Sequence, residues 1–461
     1  MRGRTVLSWF VALGALGACD AAQSSEAGDT AGAAQSSGGT VAMAGAAQAG
    51  SAGKSNAAGN SAGGNSAGGS SAGQTSSGGA AAGAAPCIEP APSAAANGVN
   101  FPFPQSRANH CALPTKLACV SAQNTQVSAA YTRWKSTFVT ATGAGSGLRV
   151  NRGAPDNNDT VSEGIAYGML FAVYLADKPT FDGLWTYAKA HFNNHGLMNW
   201  KINADGNVAG DGQNGATDAD EDMAWALLMA DKQWGGAYLM GATTLIDSIY
   251  ANEVEGGSFV LKPGDAFGGS SVMNPSYLAP SYYREFAKVT GQAGWLSVVE
   301  KSYAILSAAA NPTTGLVPDW CTSSGAPASG HSANYSYDAC RTPYRIALDY
   351  CQNAEPRALA YANKVVGFFA TATPNAIKDG YTLAGVATGK SFGAMSFMAP
   401  MSVAATADPD GKFMQFAAQG QVALASKSQS QDGGAYGYYN ASWGLLGMLT
   451  LSGNFSNLRS F

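Results

Sequence analysis

The sequence contains little charge and no excess of basic residues. Of its 461 residues, 12% are charged, and the formal net charge is −4. Nucleic-acid-binding proteins usually carry a basic patch or stripe, so this class is disfavoured. Runs with alternating apolar and polar residues, which indicate half-buried strands, are also scarce. The sequence therefore does not favour an all-β fold.

Motifs for metals and phosphates are lacking as well. His191 and His195 are four residues apart, but Phe192 stands where the zinc-protease motif needs a glutamate. A calcium loop starting at Asn203 fails because its sixth position, which should be glycine, is Val208. No glycine-rich motif has the spacing that cradles a phosphate. We therefore predict no metal and no cofactor.

The N-terminus has an apolar run that is too short to span a membrane comfortably. Arg2 and Arg4 precede this run, Leu7 to Leu16, as in an export signal. The ending Leu-Gly-Ala-Cys resembles a bacterial lipobox, which implies cleavage before Cys19 and lipidation of its thiol. A plain signal peptide with an incidental cysteine is the alternative. We expect residues 1–19 to be a lipoprotein-type signal peptide and the protein to be exported, as a cell-surface lipoprotein or in secreted form.

The next segment is almost free of apolar bulk. Residues 20–96 are dominated by alanine, serine and glycine, with near-repeats such as SAGGN and SAGGS. Such a composition cannot bury enough apolar surface to offset the entropy of ordering. We predict a disordered tether over 20–96 and a single catalytic domain over 97–461, which is rich in aromatic and aliphatic residues.

Cysteines are few, and their pairing is open. The chain has seven, and six remain when Cys19 is set aside. An even number in an exported chain suggests disulfides, although six cysteines allow 15 pairings. We favour a Cys321–Cys340 pair as a loop staple. The remaining candidates are Cys87, Cys111, Cys119 and Cys351.

Helical periodicity dominates residues 97–461 and predicts an all-α domain. Long loops rich in glycine, asparagine and aromatic residues separate the predicted helices. The helical runs are Tyr131–Val139, Ser162–Ala176, Thr186–Phe192, Met223–Lys232, Gly241–Tyr250, Tyr282–Lys288, Gly294–Ala308, Pro343–Cys351, Pro356–Phe369, Phe392–Ala405, Phe413–Ala425 and Ser442–Leu451.

One stretch, Ala216 to Trp234, combines an acidic start with an apolar body. It reads ATDADEDMAWALLMADKQW and predicts a buried helix with carboxylates at its N-terminus. By the rules of helix capping alone, Thr217 with Asp220, or Asp218 with Glu221, would be an ordinary cap. The whole stretch, however, resembles the signature of glycoside hydrolase family 8. The resemblance implies an (α/α)6 barrel, a toroid of helical hairpins, with long loops forming a substrate cleft at one end.

Three carboxyl groups match catalytic positions of that family. Hydrolysis of a glycosidic bond usually needs one protonated and one ionised carboxyl group. Glu163, in Ser-Glu-Gly-Ile-Ala-Tyr-Gly-Met, takes the general-acid position, although a helix N-terminus alone would lower its pKa. Asp338, in Tyr-Asp-Ala-Cys-Arg-Thr-Pro-Tyr-Arg, takes the general-base position of one subgroup, and Arg341 nearby would keep it ionised. Asp218 takes the position that grips the sugar, and we expect it to raise the pKa of Glu163. We interpret Asp220 as structural.

Several side chains could bind the sugar itself. Trp200 and Tyr277 lie in segments that resemble those of the family's sugar-binding aromatic residues, and Trp320 and Tyr337 are further candidates, although any one of them could belong to the core. Aromatic rings can pack on the C–H faces of sugars. We also assign Arg341 to substrate binding.

The resemblance implies an inverting enzyme that cleaves internal β-1,4 linkages of a polysaccharide, most simply a cellulose-type β-glucan. Chitosan, lichenan and xylan are alternative substrates within the family. A catalytically inactive, tethered polysaccharide-binding protein and a polysaccharide lyase with a similar toroid stay open. The expected partners are the polysaccharide and, through Cys19, the outer-membrane surface, with no nucleic acid. We expect a monomer.

Overall fold

A computed structural model describes residues 93–107, 109–111, 120–430 and 437–461. The predicted signal peptide, its Cys19 and nearly all of the predicted tether lie outside these residues, so those predictions stay predictions. The described part is mostly helical. None of its helices combines the length and the apolarity needed to cross a membrane.

Twelve α-helices lie within the described residues. They are α1 (Val120–Phe138), α2 (Ser162–Tyr174), α3 (Lys178–Ala190), α4 (Thr217–Trp234), α5 (Tyr238–Glu253), α6 (Pro280–Thr290), α7 (Gly294–Ala309), α8 (Thr342–Asn353), α9 (Pro356–Phe369), α10 (Met395–Ala404), α11 (Met414–Gln429) and α12 (Tyr438–Leu451). Each overlaps a predicted helical run, so the prediction of a mainly helical domain is confirmed.

Helix α3 shows how a cap sets a boundary. The predicted run began at Thr186, whereas the helix begins at Lys178. The Asp177 side chain accepts a hydrogen bond from the backbone N–H of Thr180, and Pro179 occupies the first turn. Both features stabilise a helix N-terminus, and the helix therefore begins about two turns before the predicted run, with Phe181 and Leu184 buried in those turns.

The even-numbered helices carry most of the core. All ten residues of α10 are buried, and α2, α4, α8 and α12 are buried on nearly every side. Helices that are apolar all round belong in a protein interior. Helix α2 packs against α4, α6 against α8, α8 against α10, α10 against α12, and α12 against α2. The odd-numbered helices pack beside them, with α3 on α2, α5 on α4, α7 on α6 and α9 on α8.

Short strands place the loops between the helices. Within the described ranges the named strands are β1 (Val139–Thr140), β2 (Arg149–Val150), β3 (Thr160–Val161) and β4 (Lys201–Ile202). They form two antiparallel pairs, β1–β2 and β3–β4. In the second pair Thr160 faces Ile202 and Val161 faces Lys201. This pairing brings the start of α2 beside the loop that contains Trp200.

The favoured disulfide is wrong. Cys111 and Cys351 are bonded, across a sequence separation of 240 residues, whereas Cys321 and Cys340 are buried free thiols. The Cys321 sulfur instead lies 3.2 Å from the sulfur of Met273, and the Cys340 sulfur lies 3.2 Å from the carbonyl oxygen of Tyr337. Cys87 and Cys119 lie outside the described residues.

Candidate active site

Glu163 lies in the first turn of α2, directly after β3. The backbone N–H of Ser162 donates to the carbonyl of Trp200 at 2.9 Å, which fixes the start of the helix. The hydroxyl of Tyr438 donates to Glu163 Oε1 at 3.1 Å. A Cβ atom on Gly164 would lie 3.0 Å from that hydroxyl oxygen. A glycine after Glu163 therefore leaves room for Tyr438 to reach the carboxyl group.

Asp218 lies in the first turn of α4, but not as a helix cap. The residue before the helix, Ala216, has no side chain that could cap it, and the Thr217 hydroxyl donates to the carbonyl of Lys262. Asp218 Oδ1 accepts the N–H of the next residue, Ala219, at 2.9 Å. The ordinary capping interpretation is therefore wrong. The Oδ2 atom of Asp218 remains available for a longer-range contact.

Asp338 comes immediately before a 3-10 turn, Ala339–Arg341, that leads into α8. Its Oδ2 atom accepts the indole N–H of Trp320 at 3.0 Å. Its Oδ1 atom accepts a hydrogen bond from Nη2 of Arg341 at 2.8 Å. Both carboxylate oxygens are therefore held by donors.

The guanidinium group of Arg341 joins the three carboxyl groups. Its Nη1 atom lies 2.9 Å from Glu163 Oε2 and 2.6 Å from Asp218 Oδ2, and Nη2 reaches Asp338. The Arg341 side chain is fully buried, and the ring centroid of Tyr277 lies 5.2 Å from its Cζ atom. Residues from α2, α4 and the turn before α8 thus meet at one cation.

The electrostatic environment of Glu163 suits a proton donor. Burial raises the pKa of its carboxyl group to about 7, against the lowering effect of Arg341, and the charge of Asp218 raises it further. The Glu163 side chain remains 14% exposed. Desolvation thus outweighs the position at a helix N-terminus, which alone would favour the ionised form. A carboxyl group with this pKa is largely protonated in mildly acidic solution.

Comparison with known proteins identifies the family. The sequence profile of the family described as glycosyl hydrolases family 8 matches residues 102–453. The chain belongs to this family. It is therefore a glycoside hydrolase.

Relatives within family 8 support the assignment over most of the chain. Endoglucanase A of Acetivibrio thermocellus is 44% identical over 379 residues, which cover 80% of this chain and 76% of the relative. Endoglucanase 2 of Ruminiclostridium josui is 40% identical, with 80% of each chain covered. A solved structure, the β-1,3-1,4-glucanase of Paenibacillus sp. X4, superposes with a TM-score of 0.68 at 30% identity. That superposition covers 77% of this chain and 98% of the glucanase.

The predicted sugar-binding residues of this family 8 chain have unequal surroundings. Trp320 lies against the ring of His331, and its indole N–H is engaged by Asp338. The indole N–H of Trp200 donates to the carbonyl of Asp211 at 2.7 Å. The Tyr337 hydroxyl donates to Asp379 at 3.1 Å. Trp320 and Arg341 therefore touch carboxyl groups of the site directly, and the sugar-binding roles of all these side chains stay predictions.

A second buried ion pair lies deeper in α4. Arg345 binds Asp222 through two hydrogen bonds of 2.6 and 2.8 Å, and Glu221 lies 3.4 Å from its Nη1 atom. Arg345 thus compensates the charge of acidic residues on α4 and not that of Asp338. Asp220 is buried, and its carboxyl group lies close to that of Glu253. Gly215 packs against both, since a Cβ atom at this position would lie 2.9 Å from a carboxyl oxygen of each. This burial agrees with a structural interpretation of Asp220.

Sequence reasoning missed two residues of the site. Tyr438, which contacts Glu163, is 275 positions away from it. It lies in a run, Tyr-Tyr-Asn-Ala-Ser-Trp-Gly-Leu-Leu, that belongs to the family resemblance, and this was the available signal. Asp319 is buried and accepts the backbone N–H groups of Ser336 and Ala339 on either side of Asp338, and no local pattern marks it. In the described part of the chain, no group of three or more His, Cys, Asp or Glu side chains is arranged to hold a metal.

Proposed function

We propose that this family 8 enzyme cleaves internal β-1,4 linkages of a cellulose-type β-glucan with inversion of the anomeric centre. The two endoglucanases named above support the choice of substrate. The alternatives within the family are lichenan, which the solved glucanase favours, chitosan and xylan.

The observation that carries the mechanism is the shared contact with Arg341. Glu163 and Asp338 bind different nitrogens of one guanidinium group, at 2.9 and 2.8 Å. Their nearest oxygens are therefore separated by no more than two hydrogen bonds and the width of that group. Inverting glycosidases keep their carboxyl groups roughly 6.5–9.5 Å apart to admit a water, whereas retaining enzymes keep them about 5–5.5 Å apart. The arrangement is compatible with an inverting pair.

Each carboxyl group then has one task. Glu163, with a pKa of about 7 caused mainly by burial, gives its proton to the glycosidic oxygen as the C1–O bond breaks. A water oxygen forms the new bond to C1 from the opposite face and loses a proton to Asp338. Solvent returns the proton to Glu163 and removes the one on Asp338 after the products leave.

Asp218 and Arg341 transfer no proton themselves; they affect the pKa of Glu163, and we also assign them to binding the sugar. Asp218 Oδ2 is bound to the guanidinium group at 2.6 Å, so both are held rigidly between the acid and the base. We assign Asp218 to hydrogen bonds with sugar hydroxyls, and Tyr277, packed over Arg341, to a wall beside the reacting ring. Such fixed contacts orient the substrate and lower the barrier by proximity.

The test is a substrate panel with purified enzyme. We expect reducing ends to be released from carboxymethylcellulose, with a fast fall in viscosity that shows internal cleavage, and weaker release from lichenan, chitosan and xylan. The Glu163→Gln variant is the matched control and should lose activity by about 10²–10⁴-fold. Release from lichenan alone would favour the mixed-linkage alternative. Release from chitosan or xylan alone would favour the corresponding alternative, and no release from any of the four polysaccharides would favour the tethered binding protein.

Product stereochemistry tests inversion independently. Proton NMR during the first minutes of hydrolysis should show the α-anomer, because inversion of a β-linkage produces it. Initial release of the β-anomer contradicts the assignment of Asp338 as general base. An unsaturated, ultraviolet-absorbing product would instead identify a lyase.

We also propose that the twelve helices close into an (α/α)6 barrel with the active site at the loop-rich end. The support is the series of neighbouring even-numbered helices, in which α12 packs against α2, together with the superposition on the glucanase.

We further propose that Cys19 is lipidated and that residues 20–96 tether the catalytic domain of 97–461 to the outer-membrane surface. The support is the lipobox-like sequence and the composition of the segment. A Cys19→Ala variant should move from the membrane fraction to the soluble fraction. Unchanged fractionation would contradict the anchor.

A further inference from the structure

Asp319 is a buried carboxyl group that the proposed mechanism does not use. It lies in the loop between α7 and α8, with 3% of its surface exposed. Its Oδ1 atom accepts two backbone N–H groups, from Ser336 and from Ala339, both at 2.9 Å. Its Oδ2 atom lies 2.6 Å from the hydroxyl oxygen of Ser332. These two amides lie on either side of Asp338, so one oxygen of Asp319 spans the turn that carries the general base.

The neighbouring residue acts on the same turn from another side. Trp320 donates its indole N–H to Asp338 Oδ2. Consecutive residues of one loop thus hold Asp338 twice, through its backbone by Asp319 and through its side chain by Trp320. The Asp319 backbone is itself fixed, because its N–H donates to the carbonyl of Asn334 at 2.8 Å.

We propose that Asp319 is a positioning residue for the general base: its buried carboxyl group holds the turn that carries Asp338. This inference rests on the proposed function, in which Asp338 is the base.

The contacts of Asp319 suit this task. Its Oδ1 atom accepts two backbone N–H groups, and its Oδ2 atom accepts the Ser332 hydroxyl. These three hydrogen bonds act to lower the pKa of Asp319. Burial, and then the charge of the neighbouring carboxyl group of Asp338, act in the opposite direction and raise it to about 7.

Other charged or titratable groups surround the pair. On the segment of Asp338 itself they are Arg341 and the buried Cys340, whose pKa burial raises. The groups that face it from other elements are Glu163 on α2, Asp218 on α4, and His331, which lies against Trp320. Arg341, which contacts Asp338, also contacts Glu163 and Asp218.

The experiment compares Asp319→Asn with Asp319→Ala in the full-length enzyme. The amide reproduces a protonated carboxyl group, because its oxygen accepts both N–H groups and its nitrogen donates to Ser332. We expect kcat of Asp319→Asn to stay within about 3-fold of wild type. Asp319→Ala frees the turn, and a displacement of about 1 Å can cost roughly 10²-fold, so kcat should fall at least about 30-fold with KM nearly unchanged.

A matched control separates positioning from stability. Asp408 is also buried and also accepts two backbone N–H groups through one oxygen, from Asp410 and Lys412, in the loop after α10. Asp408→Ala should lower Tm about as much as Asp319→Ala and leave kcat unchanged.

The two Asp319 variants together decide the outcome. Equal loss of kcat in Asp319→Asn and Asp319→Ala, or an unchanged kcat in Asp319→Ala, would overturn the proposal. If instead Asp338→Asn kept full activity, the proposed function would fail, whatever the Asp319 variants did.

Discussion

Replacement of Arg341 by alanine is the sharpest perturbation of the site. It leaves Glu163, Asp218 and Asp338 without the buried cation that contacts all three. Loss of one partner of a buried ion pair costs about 3–5 kcal/mol, because the remaining charge is uncompensated. The entropy of unfolding is roughly 2.1 cal/mol/K per residue. For residues 102–453, the part of the chain that the family profile matches, this loss of stability corresponds to a decrease in Tm of about 4–7 °C.

The same change should act on catalysis through the carboxyl pKa values. Burial already raises the pKa of Glu163 to about 7, against the opposing effect of Arg341. Without the guanidinium group the pKa of Glu163 should rise further, and Asp338 loses a cation that favours its ionised form. Because the acid and the base both lose their common partner, kcat should fall by about 10²–10⁴-fold. The alkaline limb of the residual activity should move above pH 7.

Arg345→Ala is the matched control for this experiment. Arg345 is equally buried and bound to Asp222 and Glu221, but it contacts none of the three proposed functional carboxyl groups. Differential scanning calorimetry should show a similar loss of Tm for both variants, while kcat per folded enzyme should fall steeply only for Arg341→Ala. If Arg341→Ala kept kcat within about 10-fold of wild type, the shared cation would not organise the reaction.

Three further predictions concern other contacts. Tyr438→Phe removes a hydrogen bond that lowers the pKa of Glu163, so the alkaline limb of kcat/KM should shift upward by about half a unit; an unmoved limb contradicts the contact. Burial holds the pKa of Glu253 well above its usual range, so its stabilising contribution is complete below about pH 4.5 and declines as pH rises. Glu253→Gln should therefore lose less Tm than wild type between pH 5 and 8, and parallel Tm curves would refute this. Cys351→Ala opens a disulfide that closes 240 residues of chain; by calorimetry it should cost about 2–5 kcal/mol, whereas an unchanged Tm would show that the bond does not form.

The helices were predictable because their signal is local. The run Pro356–Phe369 was predicted with the observed boundaries, since a proline begins it and apolar residues recur at helical spacing. Helix α3 was predicted too short, because the prediction began at Thr186 and missed both the Asp177 cap and the buried Phe181 and Leu184. The local sequence pattern thus identified both helices but placed the N-terminus of α3 incorrectly.

Local pattern predicted contacts of the site only where the residues are close in sequence, whereas Glu163, Asp218 and Asp338 were grouped by the family resemblance. The contact between Asp338 and Arg341 follows from a spacing of three residues on one turn. The contact of Trp320 with Asp338 spans 18 residues, and that of Tyr438 with Glu163 spans 275, so no periodic pattern encodes them. The disulfide failed for the same reason, because spacing cannot select one of many pairings when the bond joins distant segments.

The position of Arg341 three residues after Asp338 has a consequence for evolution and engineering. Arg341, which affects the pKa of the proton donor Glu163, lies on the same turn as the proton acceptor Asp338. Any displacement of that turn therefore alters both proton transfers together. A substitution there cannot adjust one limb of the pH profile independently of the other. We therefore expect adaptation to a new pH to arise from substitutions around Glu163, on the α2 side, where the pKa of the proton donor can be changed without changing that of Asp338.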